Sequence, residues 1–387
     1  MFTAESEPVA QMPSSPFTRR QFLKRLSAMP LALSVSPGAL FRGSPVMPYV
    51  DGLTLEVIDA FDKLRPAGLS GVVADASVYV ATKDDEGNTV WRRDFKQTME
   101  MLLRYREEAA ASDRVHIGKT GQDIRAAFES DTTAIIMQVQ GGGEILNSDL
   151  SRLQALADLD LRIFQLTHHH NNTLAGGGLE ASTSGLTVLG REAVAEMNRL
   201  GLIVDVSHSS DETALDACQE SQKPVVLTHG AARAIVNNAR CAPDEVIRAI
   251  AESGGVFGLF MMSFWLTTEN PPTPAHYAAQ VRHCVNVAGI DHVAVSNDFP
   301  VDGHAGITPT SGDNAQITRE MYHGWWRTMH QRGVFGFDKL PEHVAIPEFN
   351  TIDRMAIIHR ALSEAGFSAT EVEKLMGGNW IRLFDEA

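Results

Sequence analysis

Cysteine is scarce: three in 387 residues, Cys218, Cys241 and Cys284, an odd number at no zinc-ligand spacing. That excludes a disulfide framework and a thiolate metal site, and leaves the three as packing residues. Basic charge is also in short supply. Lys and Arg number 33 against 48 Asp and Glu, a net charge of -15. Such a balance argues against nucleic acid or an anionic lipid surface as the main partner, and small molecules fit better. Internal repeats and low-complexity stretches are absent. The weakly apolar stretch from Leu26 to Val35 is too short to span a bilayer as a helix.

What remains is a chain with 44% hydrophobic residues, enough to bury a substantial core. Its first 45 residues differ in kind from the rest. Ser15-Pro16-Phe17-Thr18-Arg19-Arg20-Gln21-Phe22-Leu23-Lys24, followed by Leu, Ala, Met and small residues, resembles a twin-arginine export signal. A basic tail is the plainer alternative. The signal reading implies contact with the twin-arginine export machinery, a bacterial periplasmic or otherwise exported location, and a single domain over residues 46–387.

Beyond that segment, eight short apolar runs read as buried strands: Pro48 to Gly52, Gly71 to Val78, Thr133 to Val139, Arg162 to Thr167, Leu202 to Val206, Pro224 to Thr228, Gly255 to Met261 and His292 to Ser296. Amphipathic segments such as Asp94 to Ala109, Gly190 to Gly201 and Pro243 to Ser253 lie between them. Eight strand and helix alternations predict an α/β fold, a (β/α)8 TIM barrel. Such a barrel carries its chemistry at the C-terminal ends of its strands. Asp51, Asp75, Gln138, Gln140, His168 to His170, His208, His229 and Asp298 all fall on or just after a run, including five of the fourteen histidines. His116, His276, His283, His323 and His330 fall on predicted helices or loops. The polar stretch Val301 to Asn314 after the eighth run reads equally well as a lid or a surface loop.

Val204-Asp205-Val206-Ser207-His208 and Val225-Val226-Leu227-Thr228-His229 each end a run with a histidine. On adjacent strands the two imidazoles face one mouth, and two histidines plus an oxygen donor leave a zinc ion an open position for a reactive water. Taken singly, each histidine is as well explained as a core or capping residue. Asp298 is placed to bind a metal or exchange protons, or else to cap the following turn. Arg240 offers a planar fork for a carboxylate, or else a surface ion pair.

The run from Gly185 to His208, with Leu166-Thr167-His168, Gly254 to Gly258, Gly289 to Asp298 and Gly377-Gly378-Asn379-Trp380, is similar to the renal (membrane) dipeptidases, and the likeness covers nearly everything from residue 46. That family is barrel-shaped and usually holds two zinc ions that hydrolyse dipeptides, including some with a D-residue at the carboxyl end. The resemblance implies that His208 and His229 bind the second zinc. It also makes Asp298 the acid/base, His168 the contact to the tetrahedral intermediate, and Arg240 the holder of the substrate carboxylate.

Two departures stand out. The family's first-strand His-x-Asp is replaced by Leu53 and Leu55, and its bridging glutamate by Gln140, a weaker ligand. The ligand arithmetic therefore implies one zinc ion rather than two. It points to an exported hydrolase of a dipeptide or related amide. A degenerate barrel that binds a peptide-like ligand or assists an exported biosynthetic pathway is the alternative, and oligomeric state, a homodimer included, stays open.

Overall fold

The computed structural model describes residues 47–83, 89–304 and 312–387. The Arg19-Arg20 segment and half of the Val301 to Asn314 stretch, residues 305–311, lie outside them. All eight runs form strands: Tyr49–Leu55, Leu69–Asp75, Thr133–Val139, Leu161–Gln165, Ile203–Asp205, Val225–Gly230, Phe257–Leu259 and Val293–Val295. Each pairs in parallel with the next. The ring closes where the two-residue strand Phe299–Pro300, just beyond the eighth, pairs in parallel with the first at Thr54 and Leu55. This is a parallel α/β barrel of the TIM type.

Asp51 clasps that closure. Its carboxylate accepts from the backbone N of Asn297 (2.8 Å), Asn297 Nδ2 (2.8 Å), Thr54 Oγ1 (2.7 Å) and the backbone N of Leu53 (3.2 Å). A carboxylate whose lone pairs are so committed is a structural tie. Asp51 therefore joins the first strand to the end of the eighth.

Inside the barrel, Val50, Val73, Ile136, Ile163, Ile203, Val226, Val256 and Ala294 meet as one apolar cluster, one residue from each strand or its start. The C-terminal helix Asn379–Glu386 plugs its floor with Trp380, which is fully buried and donates from Nε1 to Val295 O at 2.9 Å. Gly52 leaves room for that indole. A Cβ at Gly52 would stand 2.3 Å from Trp380 Cζ2.

The helices follow from local signals. In Val188–Leu200, Thr187 caps the N-terminus by accepting from Gly190 N. Gly190, Ala193, Val194 and Met197 form the buried stripe at helical spacing, and Gly201 ends the helix in the left-handed region. The chain then turns directly into the fifth strand.

Two elements were not legible in the sequence. An antiparallel hairpin, Tyr79–Lys83 with Thr89–Arg93, rises from the end of the second strand. Its first strand alternates between exposed and half-buried residues, so it carries no fully buried face to announce it. A three-residue strand, Val115–Ile117, pairs beside the lower half of the third barrel strand and puts His116 in a sheet, not in a helix or loop. Among the described residues no helix is long and apolar enough to cross a membrane.

Candidate metal and substrate site

At the C-terminal ends of the strands lies a cavity of about 330 Å³, with Leu55, Asp75, Gln140, His168, His169, His208 and Asp298 in its wall. That volume suits a small molecule. His208 and Asp298 both occupy the left-handed backbone region, at φ 64° and φ 55°. Non-glycine residues accept such strain where the surrounding structure enforces it, often at functional sites. For Asp298, Leu53 supplies the enforcement: its carbonyl takes the backbone N of Asp298 at 2.9 Å. The two-residue strand Phe299–Pro300 follows Asp298, and a turn comes after it.

The histidines form one connected array. His208 Nε2 lies 2.8 Å from His229 Nε2, and His208 Nδ1 lies 3.1 Å from His169 Nδ1. His168 stacks on His208 with ring centroids 4.2 Å apart. One donor atom from each of His168, His169 and His208 falls within 4.8 Å of the others. His169 thus stands beside the expected donors His208, His229 and Gln140, and beside His168, which the family resemblance made a contact to the tetrahedral intermediate. The run of three histidines was the available signal, but spacing alone does not say which of three consecutive rings turns inward.

Hydrogen bonds assign the protons. Asp205, at the end of the fifth strand, accepts from Thr228 Oγ1 (2.6 Å), Ser207 Oγ (2.7 Å), Gln138 Nε2 (3.0 Å) and the backbone N of Ser207 and Thr228. Burial pushes this carboxyl up, and the hydrogen bonds from Thr228 and Ser207 oppose the shift. Thr228 spends its only proton on Asp205, so it accepts from His229 Nδ1 at 2.9 Å. The lone pair of His229 is therefore on Nε2, aimed at His208.

Burial, followed by the charges of Arg240 and neighbouring rings, holds His168, His169, His208 and His229 well below the usual histidine range. Four neutral imidazoles are the form that ligates metal. Two Nε2 atoms 2.8 Å apart need a positive centre between them, either one shared proton or a cation. Two nitrogens on one tetrahedral zinc at about 2.0–2.1 Å lie about 3.3 Å apart, so a small movement accommodates the ion. The donor set fits zinc. With that movement, transfer of the His208 proton from Nε2 to Nδ1, toward His169, leaves both Nε2 lone pairs facing the site.

Two guanidiniums flank the array. Arg240 is buried, donates from Nη2 to His229 O at 3.1 Å, and lies over the rings of Phe260 and Trp265 at 5.2 and 5.5 Å. Burial lowers it to about 10, with the Asp298 charge opposing, so it remains a cation at neutral pH. It is no surface ion-pair residue. It lies behind the cavity wall, which Trp265 and Met262 form on that side, together with Tyr322 and Trp325 of the helix Gly312–Gln331. Arg93, which sequence reasoning did not single out, stands in the wall itself, at the end of the hairpin.

A buried polar array at the C-terminal mouth of a parallel barrel is where proteins of the TIM-barrel class carry their chemistry. The sequence of residues 54–327 matches the model of the membrane dipeptidases, peptidase family M19, and the chain belongs to that family. It is 30% identical over 300 residues to dipeptidase tcpJ of Claviceps purpurea (strain 20.1), an alignment covering 76% of this chain and 60% of that protein's length. In structure it is similar to an amidohydrolase from Pseudomonas aeruginosa, with a TM-score of 0.71 at 24% identity over 88% of this chain and 96% of that one. It also resembles a metallopeptidase from Rhodobacter sphaeroides bound to a phosphinate mimic of L-Ala-D-Ala, with a TM-score of 0.65 at 18% identity over 88% and 99% of the two chains.

Proposed function

We propose that this protein hydrolyses a dipeptide or a closely related amide with the help of one zinc ion held by His208 and His229, Gln140 being a weak further donor. The observation that carries the proposal is the pair of facing Nε2 atoms at 2.8 Å, beside a cavity of dipeptide scale. When bound, zinc supplies Lewis acidity and lowers the pKa of a water it carries. Family membership supports the dipeptide, and the count of one ion follows from the donors. Leu53 is fully buried and Leu55 lines the cavity, so the two first-strand positions that the family resemblance assigns to ligands present hydrocarbon.

The protein's own groups divide the remaining work. Asp298, held in its strained backbone at the cavity wall, exchanges a proton with the attacking water and the leaving amine. His168, neutral and half-buried against His208, hydrogen-bonds the oxygen on which charge develops at the scissile carbon. The Arg240 cation, whose Nε has no hydrogen-bond partner, attracts the substrate carboxylate to its side of the array. We further propose periplasmic delivery, supported by the Arg19-Arg20-Gln21-Phe22-Leu23-Lys24 run alone.

Elemental analysis of the purified protein, run beside hydrolysis of L,L and L,D dipeptides, tests the reading. About one zinc per chain with chelator-sensitive turnover is expected. A zinc-free protein that stays inactive after zinc is supplied would make it a binding barrel instead.

A further inference from the structure

Arg93 ends the second hairpin strand, Thr89–Arg93, and its side chain packs against Gly141 in the turn that follows the third barrel strand. Its side chain is 2% exposed, yet Nε has no hydrogen-bond partner and the ion pair to Glu144 is long, 3.9 Å from Nη1 to Oε1. The backbone is fixed more firmly than the charge, because Arg93 N donates to Glu144 Oε2 at 3.0 Å. The guanidinium carbon lies over Tyr79, 4.2 Å from the ring centroid. Gly141, at φ 64°, leaves the space it fills: a Cβ there would stand 2.7 Å from Nη1. A buried cation so poorly neutralised is costly unless something else pairs with it.

The ring order of the strands places this cation. Arg93 sits over the second and third strands, beside Gln140, whereas Arg240 follows the sixth. The histidine array lies between them, and both guanidiniums act on His168. A substrate whose scissile bond lies at the array, with its carboxyl end toward Arg240, has its acyl end at Arg93. Asp75 stands in the same part of the wall, its Oδ1 held by Ser77 N and Oγ at 2.9 and 2.6 Å. That end of the cavity offers a cation and a carboxylate together.

We propose that Arg93 is an anion subsite for the acyl half of the substrate, so that the protein selects dipeptides or amides whose amino-terminal residue is acidic. The proposal rests on the dipeptidase reading given above for the identity of the scissile bond. A planar fork pairs bidentately with a carboxylate, while a second ammonium in the same place is repelled.

The test compares Glu-Ala with Lys-Ala on the zinc-supplemented full chain, by turnover and, independently, by calorimetric binding. Wild type is expected to favour Glu-Ala by about tenfold or more, a typical span for one buried charge pair. Arg93→Gln should collapse that ratio to about threefold or less, with Arg93→Lys in between because it keeps the charge and loses the fork. Equal preference in wild type, or a ratio untouched in folded Arg93→Gln, would overturn the subsite. Selective binding without turnover would keep the subsite and sink the hydrolase reading. Turnover without charge preference would do the reverse. Should Arg93→Gln fail to fold, the wild-type ratio and Arg93→Lys still decide.

Discussion

At the floor of the barrel, Val50, Val73, Ile163, Ile203, Val226 and Trp380 pack as hydrocarbon, with the one indole N–H spent on Val295 O. A few residues farther along the same strands the character reverses. Arg93 Nε and Arg240 Nε, both buried and without a partner among the described residues, flank the histidine array there. His208 and Asp298 add two strained backbones, a cost of about 1–3 kcal/mol each. One end of the barrel is packed hydrocarbon, and the other holds neutral imidazoles, two buried guanidiniums and strained backbone.

The sharpest way to break that division is His208→Ala. It should cut kcat/KM by about 10³-fold or more, some 4 kcal/mol of transition-state stabilisation. Zinc content by elemental analysis should fall to near none, while the melting temperature of the metal-free protein changes little. A variant that kept both zinc and activity would remove His208 from the ligand set.

Trp380→Ala attacks the other end. Truncating this fully buried indole should cost about 3–5 kcal/mol in urea unfolding. Zinc bound per folded chain should match wild type, and its loss in the folded fraction would show that floor and mouth are one coupled unit.

The smallest expected effect sharpens the boundary between them. Thr228→Val removes the hydroxyl that links Asp205 to His229 Nδ1 and so sets the histidine tautomer. Zinc affinity by chelator competition should weaken about 10–100-fold, the usual cost of losing an outer partner of a ligand. Unchanged affinity would mean that Thr228 only fills space.

Much of the framework is legible in the sequence. The eight apolar runs, the helices between them and the strand-end positions of His168, His208, His229 and Asp298 follow from local periodicity, which needs only neighbouring residues. The hairpin was not readable, because its first strand has no buried face, and with it went Arg93. Asp51 looked like a mouth residue by position and proved to be a clasp, because its partners at Asn297 lie 246 residues away.

The sequence by itself determined the barrel, since a strand and helix alternation with buried runs has few other ways to hide its apolar faces. It also determined the donor types available: imidazoles and an amide, with leucine at two first-strand positions. Only the tertiary structure decided which donors meet. It turned His169 onto His208, moved Arg240 behind the wall and brought Arg93 into it. Those choices depend on contacts between residues that are distant along the chain, and local patterns carry no information about them.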